Sequence, residues 1–229
     1  MTPLPIQSNS RSGSSHGFGA LDAVIVVATL ALVAVLALFA FPRRSHTGRS
    51  RTGCINNLKQ LGLAARMWAG DNEGVFPWAV SVSSNGVREL VLSGNLAAAI
   101  YFSMSNECGT PKILWCPNDL KRTKGVAWAN LNNGNVSYFI GLDAQETLPQ
   151  TILSGDRNLS GGVLTSNRIM EVHATNVLSW GADIHSQGKT RQGNIGLGDG
   201  SAQQVTDRIL QNQALNQAQI LPVARFAFP

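Results

Sequence analysis

An unbroken apolar run near the N-terminus most restricts what this chain can fold into. Asp22 lies close to its start, and no charged residue occurs from Ala23 to Phe41. As a helix, the run from Phe18 to Phe41 is about 36 Å long, which exceeds the roughly 30 Å hydrocarbon core of a bilayer. A helix on the surface of a small soluble domain has a polar face, and this run has none. We therefore predict a single transmembrane helix over residues 18–42.

The segment before the run has the composition of a leader peptide. Residues 1–17 are rich in Ser, Pro and Gly and poor in apolar side chains, which is typical of disorder. A cleaved secretory signal has a shorter apolar core, about 7–15 residues, behind a basic stretch, so that class does not fit. Asp22 needs an explanation of its own, because an acid in a spanning segment costs up to about 3 kcal/mol at the bilayer centre. Such a residue is usually retained for a partner.

A helical pattern continues beyond the predicted anchor. Apolar residues recur at helical spacing at Leu58, Leu61, Ala65 and Trp68, which predicts an amphipathic helix over residues 43–72. We expect this helix to continue the anchor as one long helix. Its first half would then lie in the membrane, and its second half would pack on a globular domain.

The remaining residues, 73–229, are predicted to form one extracytoplasmic α+β domain. Residues 135–141 have the aromatic and β-branched composition of a strand. Residues 194–205 predict a hairpin around Asp199-Gly200, because glycine accepts the positive φ of a tight turn, and Thr206 is expected to cap a short helix after it. The predicted fold is a long helix packed on a small antiparallel sheet.

The start of the apolar run resembles a known processing site. Gly17-Phe18, followed by an acid at Asp22 and an apolar helix, is similar to the cleavage site of type IV prepilins and type II secretion pseudopilins. The resemblance implies that a prepilin peptidase cuts after Gly17 and methylates the new amine of Phe18. It also implies that Asp22 pairs with the N-terminal amine of a neighbouring subunit, where two opposite charges offset each other's burial.

Further blocks of sequence resemble pilin-like proteins that are abundant in planctomycetes and verrucomicrobia. The blocks cover residues 54–63, 71–77, 114–119, 137–143, 154–158 and 198–201. The resemblance implies a non-enzymatic structural subunit of a type II secretion or type IV pilus-like filament. Its partners would be the prepilin peptidase, other pilin-like subunits and inner-membrane lipid, and its globular domain would lie in the periplasm behind a single membrane pass.

The arginines near the apolar run indicate the opposite orientation. Arg11 precedes the run, whereas Arg43, Arg44, Arg49 and Arg51 follow it, so the positive-inside rule places the following segment in the cytoplasm. We follow the resemblance in predicting a periplasmic domain. The net charge of +5 owes much to these headgroup-level arginines. No basic patch with interleaved aromatic residues follows them, so we expect no nucleic-acid partner.

The three cysteines allow one disulfide and one free thiol, the simplest count in an oxidising compartment. Cys54 with Cys116 would close a long loop worth about 4 kcal/mol in the entropy model. Cys108 with Cys116 is the local alternative, and three buried thiols is another. The resemblance favours Cys54–Cys116, because these two cysteines lie in the blocks that carry it.

Candidate catalytic and metal-binding residues are few. His185 with Asp183 and Asp199 could be drawn as a catalytic or metal set, but no GxSxG, HExxH or paired-acid motif accompanies them. We therefore interpret His185 as a surface loop residue and expect no catalytic residues. Asp156 and Asp199 are candidate calcium ligands, but an ordered D-x-D-x-D loop is missing, so we expect no metal or other cofactor. The alternative function is a membrane-tethered extracytoplasmic binding or enzyme domain that uses a pilin-type anchor.

Overall fold

The computed structural model describes residues 19–40, 46–92, 97–186 and 190–229. The chain forms two compact units, Met1–Arg44 and Ser45–Pro229. The predicted leader, the cleavage site Gly17-Phe18 and the junction at residues 41–45 lie outside the described residues. The predictions of a leader and of one continuous helix through the junction therefore stay predictions.

The first unit contains one helix, α1 (Ala20–Ala40). Its N-terminus carries Asp22, whose Oδ2 accepts a hydrogen bond from the backbone N–H of Gly19 at 3.0 Å. A carboxylate in the first turn is favourable because the helix dipole is positive there. Within the described residues, no helix combines the length and the apolar character needed to cross a membrane. The predicted span, 18–42, extends past the described residues at both ends.

The second unit begins with α2 (His46–Gly70). The predicted apolar stripe of this helix is confirmed, because Leu58, Leu61, Ala65 and Trp68 are all buried. At Gly62 the helix backbone approaches another segment closely. A Cβ atom there would lie 2.9 Å from the Cα of Gly200, so glycine permits the contact.

The described residues of the second unit form four further helices, five 3₁₀ turns and nine strands. The helices are α3 (Arg88–Leu92), α4 (Ala97–Ser103), α5 (Ser105–Cys108) and α6 (Asp207–Ala218). The 3₁₀ turns are Pro77–Ala79, Val82–Ser84, Pro111–Leu114, Trp128–Asn130 and Asn133–Asn135. The strands are β1 (Tyr138–Gly141), β2 (Ile152–Asp156), β3 (Leu159–Ser160), β4 (Val163–Leu164), β5 (Ile169–His173), β6 (Ser179–Trp180), β7 (Gln192–Leu197), β8 (Ala202–Thr206) and β9 (Val223–Ala227).

Seven strands form one antiparallel sheet in the order β4-β5-β9-β1-β2-β7-β8, and β3 pairs with β6 separately. The central strands β1 and β2 are buried on both faces, whereas the edge strand β4 is exposed. Along β1, the side chains of Tyr138 and Ile140 join the core beneath α2, whereas Phe139 joins the core beneath α6 with Phe226 and Leu210. Strand side chains alternate between faces, so this strand contributes to both cores. The predicted α+β class and antiparallel sheet are confirmed.

The predicted hairpin is also confirmed, as β7 and β8. Gly200 has a φ of 82° in its turn, and the Asp199 carboxylate accepts a hydrogen bond from the backbone N–H of Ser201 at 2.8 Å. Thr206 occupies the N-cap position of α6, but its side chain makes no capping hydrogen bond. The predicted side-chain cap is therefore wrong, whereas the predicted helix is present.

Candidate functional site

The described side chains of α1 are exposed from Gly19 to Leu36. The large aliphatic ones have exposed fractions between 47% and 78%: Leu21, Val24, Ile25, Val26, Val27, Leu30, Leu32, Val33, Val35 and Leu36. Burying one such side chain fully is worth about 1.5–3 kcal/mol. Consecutive residues such as Ile25, Val26 and Val27 point to different sides of a helix, so the apolar surface surrounds α1. A surface of this kind is typical of a helix covered by lipid or by several other helices.

Asp22 lies at the N-terminal end of this apolar surface. The sequence-predicted processing residues Gly17 and Phe18 lie outside the described residues, so their geometry is not part of the site. Asp22 Oδ2 makes the hydrogen bond to Gly19 N, and both residues are exposed. The carboxylate is therefore exposed at the N-terminal end of the helix.

In the second unit, the structure brings the predicted pair Cys54 and Cys116 together as a disulfide. Their Cα atoms are 5.3 Å apart, and both side chains are fully buried. The bond joins α2 to the segment that precedes β1. Cys108 is left as a buried free thiol, and burial together with the nearby Glu107 raises its pKa to about 12. The local Cys108–Cys116 pairing is not formed.

His185 lies beside this disulfide, which corrects our interpretation of it as a surface loop residue. The residue is only 4% exposed. Its Nε2 lies 3.2 Å from Cys116 Sγ, and its Nδ1 lies 3.2 Å from Nδ2 of Asn118. The interpretation was wrong because the loop after β6 folds inward. Asn158 holds that loop by donating hydrogen bonds to the carbonyls of Gly181 and Ile184.

Asp156, at the end of β2, lies on another side of the imidazole. Its Oδ2 is 3.7 Å from His185 Nε2 and accepts hydrogen bonds from the backbone and side-chain nitrogens of Asn194 at 2.7 and 3.0 Å. Its Oδ1 is buried without a hydrogen-bond partner in the described part of the chain. Burial raises the pKa of Asp156 to about 8, against the lowering effect of the Asn194 hydrogen bonds. The carboxyl group is therefore held in an apolar setting next to the imidazole.

An ion-pair network surrounds Arg157, the residue that follows Asp156. Arg157 binds the fully buried Asp119 with two hydrogen bonds, 2.6 Å from Nε and 2.5 Å from Nη2. Arg157 Nη2 also lies 3.4 Å from Asp183, which pairs with Lys121 at 3.1 Å. Asp183 therefore belongs to an ion-pair network that links loops, rather than to a catalytic set with His185 and Asp199.

The two candidate calcium ligands are not brought together. Strands β2 and β7 pair with Ile152 opposite Leu197 and Gly155 opposite Ile195. This register places Asp156 at one end of the strand pair and Asp199, in the turn after β7, at the other. The two acids therefore form no common site.

The arrangement that could support chemistry is the disulfide–histidine cluster, which we define as Cys54, Cys116 and His185. One ligand atom from each residue lies within 4.8 Å of the other two, and all three residues are buried. Sequence reasoning missed the cluster because His185 follows Cys116 by 69 positions and carries no local motif. The only available signal was that both cysteines lie in sequence blocks that resemble pilin-like proteins, and it did not extend to His185.

No protein-family model, curated protein or solved structure matches this chain. The family resemblance described from the sequence therefore stays a prediction, and the function is argued from the residues and their geometry.

Proposed function

We propose that this protein is a pseudopilin-like structural subunit of a type II secretion or type IV pilus-like filament. A prepilin peptidase cuts the precursor after Gly17 and methylates Phe18. The subunit is held in the inner membrane by one helix, with its globular domain in the periplasm, and then assembles with other pilin-like subunits. The subunit has no enzymatic activity of its own.

The observation that carries this proposal is the exposed aliphatic surface of α1. Ten or so large aliphatic side chains left in water are costly, so the helix needs lipid before assembly and neighbouring helices after it. The apolar run extends from Phe18 to Phe41, beyond the segment of α1 whose side chains are described. The membrane part of the proposal rests on this whole run. A helix that is apolar on all sides suits both environments.

Asp22 supports the assembly step. In the isolated chain its carboxylate bonds the Gly19 N–H of the same helix, a modest interaction at an exposed site. Transfer into a bundle of apolar helices strips water from the carboxylate, and a methylated amine from a neighbouring subunit supplies the opposite charge. The pairing favours one axial register between subunits, since a shifted helix leaves the buried charge without a partner.

The processing step is tested by mass spectrometry of the protein extracted from membranes. We expect a mature chain that begins with N-methylated Phe18. A mature protein that keeps residues 1–17 contradicts the processing step. Gly17→Ala is the matched variant, and it should accumulate as the uncut precursor in the membrane fraction.

The assembly step is tested by replacing Asp22. Asp22→Ala should reduce filament assembly at least about tenfold, because loss of one charge partner in an apolar bundle costs several kcal/mol, while membrane insertion is unchanged. Asp22→Glu keeps the charge and is the control. Filaments are counted by negative-stain microscopy after crosslinking. Equal numbers for the alanine variant and the unchanged protein would exclude the pairing role.

The second candidate function is a membrane-tethered binding domain on a pilin-type anchor. A groove of about 500 Å³ in the second unit favours it, lined among others by Glu73, Gln145, Thr147 and Arg225. Arg225, however, is already paired with Asp143 through two of its nitrogens, so this charge is not free for a ligand. This function predicts a monomer after crosslinking, whereas the filament subunit predicts a ladder of oligomers.

A further inference from the structure

With its two cysteines reduced, the disulfide–histidine cluster has the composition and spacing of a metal site. Two sulfurs and an imidazole nitrogen are the ligands preferred by zinc and by other borderline divalent cations. Around a tetrahedral zinc, with bonds of about 2.3 Å to sulfur and 2.0 Å to nitrogen, ligand atoms lie roughly 3.5–3.8 Å apart. His185 Nε2 is 3.2 Å from Cys116 Sγ, and the three ligand atoms lie within 4.8 Å of one another. Breaking the disulfide would let the two sulfurs separate toward this geometry, with the imidazole already beside them.

We propose that Cys54, Cys116 and His185 bind a zinc-like divalent cation when the disulfide is reduced. The disulfide and the metal site are then two alternative cross-links between the same elements. The first joins α2 to the segment before β1, and the second joins both of these to the inward-folded loop that carries His185.

The chemistry balances with a phosphine reductant. The phosphine and one water molecule break the S–S bond, giving a phosphine oxide and two thiols. Metal binding then displaces one proton from each thiol, so the site contains two thiolates and one neutral imidazole. Two thiolates neutralise a divalent cation, which is favourable for a fully buried site.

The surroundings of His185 fit the proposal. Nδ1 faces the side-chain amide of Asn118 at 3.2 Å. An amide can present either its NH₂ group or its oxygen, so Asn118 can donate to Nδ1 in the disulfide form and accept from Nδ1–H when Nε2 binds metal. A metal-binding histidine usually has such a partner on its second nitrogen. Asp156 Oδ2 lies 3.7 Å from His185 Nε2, so a buried carboxyl group stands next to the nitrogen that would bind the metal.

Cobalt(II) is the probe for the test, because tetrahedral sulfur coordination gives cobalt intense visible bands and a sulfur-to-metal charge-transfer band in the near ultraviolet. The full-length chain in detergent is unfolded in guanidinium, reduced with a phosphine and refolded without oxygen with Co²⁺. We expect one cobalt per chain with both spectral features, and displacement by Zn²⁺. The same chain refolded in the disulfide form should show neither feature, although its fold is the same.

Two variants locate the site. His185 has a φ of 58°, a left-handed conformation that asparagine tolerates well among non-glycine residues, so His185→Asn removes the imidazole with little backbone strain. It should weaken cobalt binding by at least about tenfold. Cys108→Ser is the matched control, since it removes the buried thiol outside the cluster, and it should bind cobalt like the unchanged protein.

Several outcomes overturn the proposal. They are an absence of sulfur–cobalt bands in the reduced protein, equal cobalt binding by the disulfide form, full affinity in His185→Asn, or loss of binding in Cys108→Ser. Refolding gives a further criterion that needs no variant. Because metal binding is coupled to folding, Zn²⁺ should raise the denaturant midpoint of the reduced chain, followed by tryptophan fluorescence. A reduced chain that Zn²⁺ neither folds nor stabilises also contradicts the proposal.

Discussion

Helices α1 and α2 are similar in length, 21 and 25 residues, yet they differ in how much of their apolar surface is buried. Every described residue of α1 from Gly19 to Leu36 is exposed, although the helix is almost purely aliphatic. In α2, the stripe that contains Leu58 and Trp68 is buried, whereas the exposed positions are mixed, with Lys59 and Arg66 beside Leu63 and Met67. The two helices therefore differ in how their apolar surfaces are covered. Other elements of the second unit cover one face of α2, whereas the described side chains of α1 are exposed.

The largest expected effect comes from truncating one leucine in each helix. Leu58 is fully buried and Leu30 is 64% exposed. Leu58→Ala should lower the free energy of unfolding of the second unit by about 2–5 kcal/mol, whereas Leu30→Ala should change it by less than about 0.5 kcal/mol. Urea unfolding in mild detergent measures both, and fluorescence reports the second unit alone because all five tryptophans follow residue 45. A large loss in Leu30→Ala would show that α1 packs on the domain, and would break the comparison.

Two glycines within α2 sharpen the comparison further. A Cβ at Gly62 would lie 2.9 Å from the Gly200 backbone, while a Cβ at Gly53 meets no atom within 4 Å. Gly62→Ala should therefore destabilise by about 1–3 kcal/mol through overpacking. Gly53→Ala should stabilise by roughly 0.5–1 kcal/mol, because alanine is the better helix former. The same urea measurement separates them, and a stabilising Gly62→Ala would contradict the close contact of α2 with the hairpin turn.

The smallest expected effect contrasts the buried Asp156 with the exposed Asp22. Burial raises the pKa of Asp156 to about 8 in the folded state, above its ordinary value of about 4, so the folded protein binds more protons between these values. Its contribution to stability is complete below about pH 4 and is lost as pH rises through 8. His185, Asp119 and Arg157 face or influence the same carboxyl group. The effect of Asp156 is therefore taken as the difference between the pH profiles of the unchanged protein and a variant without this carboxyl group.

Asp156→Asn should flatten the fall in unfolding free energy between pH 7 and pH 8 by about 1 kcal/mol. Asp22→Asn should leave the pH profile of the second unit unchanged. Urea midpoints across this pH range give the two slopes. Equal slopes for the unchanged protein and Asp156→Asn would show that the carboxyl group is not held neutral by burial.

Local patterns explain what the sequence could predict. The i, i+3, i+7 spacing from Leu58 specifies one helix face, and Asp199-Gly200 specifies a tight turn. Each of these signals is carried by residues that are close together in sequence. Neither depends on how the rest of the chain is arranged. The choice of Cys54 and Cys116 as partners came from the resemblance, and the structure pairs these two residues.

The missing parts depend on contacts between distant segments. His185 carries no sequence signal for burial, because its surroundings come from α2, the segment before β1 and strand β2. The side chain of Thr206 makes no capping hydrogen bond, while Asp207 beside it accepts a hydrogen bond from the backbone N–H of the distant Trp180 at 2.8 Å. Strand order was not predicted either, since pairing partners far apart in sequence leave no periodic pattern.

The position of β9 has a consequence for how the domain is made. Strand β9, the last of the strands in sequence, lies between β5 and β1, and its pairing with both is antiparallel. During synthesis, a chain that has emerged only through β8 has two open strand edges where β9 belongs, and open edges invite pairing with other chains. The sheet therefore closes only after β9 has been synthesised, and until then the edges of β5 and β1 must avoid pairing with other chains.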